Sequence, residues 1–187
     1  RVHDDHWQKN VYSKAALLLN TLKDYETFIP SVLIDSDCFV VENFLDRIQQ
    51  EEYDVGACLR SKAGRAPRHQ ADSSHIGSFF VANTPKSIPF VEDWISYLQK
   101  AQEKQRIGKL HPKPLESPAL SDAIQDWQGK IKLCHYDEQL VANVEMTPPE
   151  GALIYHLKSD WLYMTIEKRL LQPRARYYTQ RLSLIHI

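Results

Sequence analysis

Two aspartates close the apolar run Ser31–Ile34, and a single serine separates them: Asp35-Ser36-Asp37. On an extended strand, residues i and i+2 face the same way, so both carboxylates would point to one side. Anions held that close repel unless something positive lies between them. The counter-charge is a metal, a basic side chain, or nothing beyond solvent. In open α/β sheets ligands collect at the carboxyl ends of strands, where this pair falls. Paired carboxylates there suit a hard divalent cation, Mn2+ or Mg2+, that also binds phosphate oxygens. The plainer reading is a strand ending in a solvated acidic turn, because a D-x-D arises by chance in many chains.

Three further stations carry chemistry. His156 ends the short apolar run Ala152–Tyr155, and imidazole is a good Mn2+ ligand. Lys158 follows two residues later, placed to neutralise a diphosphate as a point charge. On its own, His156 reads as a satisfied structural histidine; beside a carboxylate pair it reads as a ligand. His135-Tyr136-Asp137-Glu138-Gln139 opens an apolar-periodic segment, with Asp137 either an N-cap or a residue facing a ligand. Gly77-Ser78 precedes the buried-looking Phe79-Phe80, where glycine admits close approach of backbone to a ligand or simply makes a turn.

The elements that must position these residues alternate in type. Asn10–Leu22 predicts an amphipathic helix, Phe28–Ile34 a strand, and Val41–Arg47 the opening of a short helix carrying Leu45 and Ile48. Strands are expected at Tyr53–Leu59, Gly77–Ala82 and Ala152–His156, with a polar loop over Ser61–Ser74. Helices are expected at Ile88–Arg106, Pro118–Trp127, Tyr136–Val144 and Tyr163–Leu171. The pattern predicts an α/β layered domain with a mostly parallel central sheet flanked by helices.

Composition narrows the function classes. A chain of 187 residues suits one domain with a real core. A net charge of −1 recruits neither nucleic acid nor an anionic membrane. Cys38, Cys58 and Cys134 are odd in number and widely spaced, against a disulfide framework or a thiolate zinc site. No apolar run reaches the length of a membrane span. Arg1-Val2-His3 is not a natural start, so a piece of a longer chain is expected. Arg181–Ile187, RLSLIHI, reads as a translated sequencing adaptor, so residues 182–187 are expected to be a non-native tail behind a catalytic fragment spanning 1–181. The basic residues Lys168, Arg169, Arg174, Arg176 and Arg181 read as a solvated helix face before a lipid or acceptor contact.

The order of the stations resembles a known family. A helix, then LIDSDCFVV, GSFFVANTPKSIPFVEDW, YDEQLVANV and ALIYHLKS, resembles GT-A fold nucleotide-sugar glycosyltransferases. The likeness is to the nucleotide-diphospho-sugar transferases and the glycogenin-like retaining families, over Asn10–Trp161. It implies transfer of a sugar from a nucleoside-diphosphate donor to a hydroxyl of a carbohydrate or glycoconjugate acceptor, with retention. Asp35, Asp37 and His156 match the Mn2+ shell, and Lys14, Ser36, Gly77, Ser78 and Lys158 fall at donor-binding positions. Asp137, Glu138 and Gln139 match a D-Q element lining the anomeric centre, with the alignment open by one residue. The family's first strand and nucleobase loop have no counterpart here, and Lys158 follows His156 more closely than in glycogenin-like enzymes. The likeness leaves the compartment open: cytoplasm in a bacterium, Golgi or ER lumen in a eukaryote.

Two other classes compete. Haloacid-dehalogenase-like phosphohydrolases also place D-x-D after a strand, but Cys38-Phe39 follows here, and Asp122 and Asp126 fall on an expected helix. A non-catalytic member of the glycosyltransferase fold would not need Asp35, Asp37 and His156 intact.

Overall fold

The structure, a computed structural model, describes residues 2–35, 38–49, 52–59, 75–106, 116–137, 139–143 and 151–156. The elements run α1 (Val2–Lys23), β1 (Ser31–Ile34), β2 (Cys38–Val40), α2 (Leu45–Ile48), β3 (Val55–Leu59), β4 (His75–Ala82), α3 (Ser87–Arg106), α4 (Glu116–Asp126), β5 (Leu133–Tyr136), β6 (Val141–Asn143) and β7 (Ile154–His156). The helix expected at Tyr163–Leu171 and the tail 182–187 lie outside the described residues.

Helical spacing selects one buried face on each long helix. Ala15, Leu18 and Leu22 of α1 are buried, as are Phe90, Val91, Trp94, Ile95 and Leu98 of α3. The small residues Ala119 and Ala123, with Leu120 between them, let α4 approach α3 closely. Together these side chains cover one face of a four-stranded sheet with strand order β1-β4-β3-β5.

The strands alternate faces, as the two-residue period requires. Phe80 and Ala82 of β4 join the helix-side core, while Phe79 and Val81 point into a second core. That second core also takes Tyr136 from the large sheet, and Leu140, Val141 and Ile154 from around a small sheet ordered β2-β7-β6. The result is helices, large sheet and small sheet in layers. The α/β reading of the sequence therefore holds.

The large sheet mixes strand directions. Strand β4 is antiparallel to both β1 and β3, and β3 is parallel to β5. Strands β1, β3 and β5 thus run the same way, and only β4 is reversed between them. A parallel majority exists in direction, yet two of the three pairings in this sheet are antiparallel, because the reversed strand sits inside.

One expected element is corrected. The described residues of Tyr136–Val144 form no helix: Tyr136 ends β5, and β6 covers Val141–Asn143. The carboxylate of Asp137 accepts a hydrogen bond from the Gln139 N–H at 3.0 Å, and the Asp137 carbonyl accepts from Leu140 N–H at 3.1 Å. That is capping chemistry for a single turn. Val141 then pairs with Ile154 in a parallel ladder, and sheet pairing wins over the apolar spacing.

The amino-terminal end of β3 is clamped by a carboxylate. Asp54, buried, accepts Thr84 Oγ1 at 2.7 Å and Lys132 N–H at 2.8 Å, with Lys86 Nζ 3.7 Å away. Burial alone would raise its pKa, but the hydrogen bonds from Lys132 N–H and Thr84, with the nearby lysine charges, outweigh it and hold the carboxyl below its usual value.

Two predictions test this framework. A Cβ added at Gly56 would lie 2.6 Å from Cε2 of Tyr136, so Gly56→Ala should cost about 1–3 kcal/mol in urea denaturation. Because the Asp54 pKa is depressed on folding, its stabilisation is present above the unfolded carboxylate pKa and is lost as pH falls through the folded one. Asp54→Asn should therefore cost about 1–3 kcal/mol at neutral pH, with the difference from wild type shrinking below roughly pH 4.

Candidate active site

The chain reaches its candidate site at the carboxyl ends of β1, β3 and β5. Ile34 ends β1 opposite Phe79, and the next residue, Asp35, donates its backbone N–H to the carbonyl of Ser78 at 3.0 Å. Cys38 N–H then donates to the carbonyl of Asp35 at 3.0 Å, and Cys38 begins β2 in the other sheet. The strand period on which Asp35 and Asp37 were expected to share a face therefore stops at Ile34. Ser36 and Asp37 lie outside the described residues. Asp35 stands where the chain leaves one sheet for the other.

Strand β7 supplies the second group. Cys38 pairs with His156 across the antiparallel β2–β7 ladder, which brings buried His156 beside Asp35. The separation of His156 Nε2 from Asp35 Oδ2 is 3.8 Å. That is too long for a hydrogen bond. It is a span that a cation could bridge, since two ligands each ~2.1 Å from one ion lie up to ~4.2 Å apart. Oxygen and imidazole donors suit Mn2+ or Mg2+ in type, more so Mn2+ for the nitrogen. Among the described residues, no three carboxylate, imidazole or thiol groups converge to hold an ion.

The other oxygen of Asp35 belongs to a lysine. Lys14, in the middle of α1, gives its ammonium to Asp35 Oδ1 and also to Glu116 Oε1, at the first turn of α4. Its side chain is 18% exposed and that of Glu116 is 10% exposed. Burial would lower the Lys14 pKa, but the charges of Glu116 and Asp35 and their hydrogen bonds more than reverse that and raise it. Among the described residues, the lysine or arginine that neighbours Asp35 is thus Lys14, which the resemblance had placed among the donor-binding positions.

Glu116 was not foreseen. The sequence shows it only as a glutamate at a helix start, LESPAL, where the ordinary role is to face solvent and favour the helix dipole. Its burial beside Lys14 appears only once α4 is packed. The one available signal was a carboxylate directly before an apolar, core-facing turn.

The remaining expected residues are placed as follows. Ser78 is buried beside Asp35, and its hydroxyl has no hydrogen-bond partner among the described residues. Gly77 lies next to it on β4. Asp137 follows β5 at the same end of the sheet as Asp35, but β5 is three strands from β1, roughly 14 Å across at the usual strand spacing. Both Asp137 and Gln139 are exposed. Glu138 and Lys158 lie outside the described residues.

Comparison with known proteins gives this geometry a family. The profile described as nucleotide-diphospho-sugar transferase matches residues 4–157, a stretch that contains Lys14, Asp35, Ser78, Glu116 and His156. The chain belongs to the nucleotide-diphospho-sugar transferase family. A solved structure of an active-site mutant of LgtC is similar over 88% of this chain at 9% identity and a TM-score of 0.44. This transferase-family chain spans 65% of the length of that LgtC chain. No curated protein matches the sequence. Among the described residues, no helix of this family member is long and apolar enough to cross a membrane.

The ion cluster sets a stability prediction. Lys14→Met leaves two partly buried carboxylates without their counter-ion and should cost about 3 kcal/mol, toward the low end for breaking a buried pair. Lys14→Met/Glu116→Gln should recover much of that loss, because the more buried carboxylate no longer carries charge. Chemical denaturation of wild type and the two variants measures both.

Proposed function

We propose that this protein is a metal-dependent glycosyltransferase that moves a sugar from a nucleoside-diphosphate donor to a hydroxyl of a carbohydrate or glycoconjugate acceptor, with retention. Family membership over residues 4–157 supports sugar transfer from such a donor. The observation that carries the metal-dependent reading is the pairing of Asp35 Oδ2 with His156 Nε2 across 3.8 Å at the carboxyl end of β1. Asp37, two residues beyond Asp35 in the sequence, would complete the set.

In this reading each residue has a physical task. Asp35 and His156, with Asp37, would hold Mn2+ or Mg2+, which when bound offsets the negative charge that develops on the leaving nucleoside diphosphate. Lys14 keeps a fixed positive charge at the same end of the sheet, and the Glu116 carboxylate holds its ammonium there. Gly77 and Ser78 would border the donor sugar, with the buried Ser78 hydroxyl able to bond a sugar hydroxyl. Lys158 would meet the diphosphate. Asp137, Glu138 and Gln139 remain the candidates from the sequence for the reacting centre, with Asp137, after β5, across the sheet end from Asp35 and His156.

Asp35→Ala and His156→Ala should each lower Mn2+-dependent hydrolysis or transfer of a nucleotide sugar at least about a hundredfold, as expected when a charge-stabilising group is lost. A panel of nucleoside-diphosphate sugars, assayed with and without EDTA on the full-length enzyme, provides the measurement. Undiminished turnover in both variants, or turnover indifferent to EDTA, sinks the metal-dependent reading.

A further inference from the structure

We infer that Lys14 competes with the divalent cation for Asp35, and that Glu116 is a second seat to which the ammonium withdraws when the cation loads. This rests on the reading of Asp35 and His156 as cation-binding residues. The geometry that motivates it is the sharing of one ammonium between Asp35 Oδ1 and Glu116 Oε1, while Asp35 Oδ2 faces His156.

A divalent ion at Oδ2 would bring positive charge against an ammonium already bonded to the other oxygen of the same carboxylate. Two cations on one carboxylate repel strongly in a partly dry site. The ammonium does not simply leave for water, because the Lys14 side chain is only 18% exposed. Glu116 offers a nearby anion on α4, itself 10% exposed and in need of a counter-charge. The lysine can therefore keep a partner while loosening its hold on Asp35.

The two cations have a consequence for binding order. The Lys14 ammonium and a divalent ion would lie on the two oxygens of one carboxylate, so a lone ion meets their mutual repulsion. A nucleoside diphosphate arriving with the ion brings negative charge that offsets both cations. Free Mn2+ should thus bind weakly, and Mn2+ with a nucleoside diphosphate much more tightly, with Lys14 as the cause of the difference.

The test is Mn2+ affinity in the full-length protein, read by the electron paramagnetic resonance signal of free Mn2+, without and with UDP or GDP. Lys14→Met should tighten binding of Mn2+ alone by about tenfold or more, and should shrink the gain given by nucleotide. Glu116→Gln should weaken binding of Mn2+ alone, because Lys14 is left to Asp35. Lys14→Met/Glu116→Gln should bind Mn2+ as Lys14→Met does, and it stands in for the single variant if circular dichroism shows Lys14→Met unfolded. Unchanged or weaker Mn2+ binding in the folded Lys14→Met or double variant, with binding still lost in Asp35→Ala, overturns the inference and leaves the metal-binding reading intact. Equal Mn2+ binding by wild type and Asp35→Ala removes both.

Discussion

Carboxylates cannot be held together in a partly dry site without a cation, and in this chain the cation is built in. The ammonium of Lys14 ties the middle of α1 to the residue after β1 and to the first turn of α4. The first two follow one another in the chain and α4 comes much later, yet all three meet at one end of the sheet. The ion cluster therefore fixes the relation between helix layer and sheet at the place where a ligand would enter. Removing the lysine would disturb packing and electrostatics together, since the stem of a lysine covers apolar surface while its head answers charge.

The two ends of the large sheet use the same residue type in opposite ways. At one end, Asp54 is answered by a backbone N–H, a threonine hydroxyl and nearby lysines. It behaves as a structural knot. At the other end, Asp35 meets a shared ammonium on one oxygen and an imidazole across a gap on the other. Its partners can be exchanged without unravelling the ladder, because the backbone of Asp35 is held separately through Ser78. A carboxylate anchored by its backbone and loosely partnered at its side chain is the arrangement a ligand site needs.

Much of the layered order was legible in the sequence, because helix α3 and strands β3 and β4 carry strong periodic patterns of buried residues. Asp35, Lys14 and His156 were also readable, two from residue type at a strand end and one from family likeness. The misread segment was Tyr136–Val144. Its apolar spacing fits a helix turn as well as a short strand, and only the ladder with Ile154–His156 decides between them. Glu116 was invisible for a related reason. A glutamate at a helix start has an ordinary local role, and nothing local reports that Lys14, far away on α1, lies under it. The reversed direction of β4 was hidden as well, since alternation of element types does not state which way a strand runs.

The pairing of Cys38 with His156 has a temporal side. A chain emerging from the ribosome presents α1, β1, β3, β4, α3 and α4 before β7 exists. Strand β2 therefore gains its ladder neighbour only after the residues of β7 have been made. The last of the described strands delivers the histidine. On this order of birth, the ammonium of Lys14 and both of its carboxylates are made before the imidazole that ends beside Asp35.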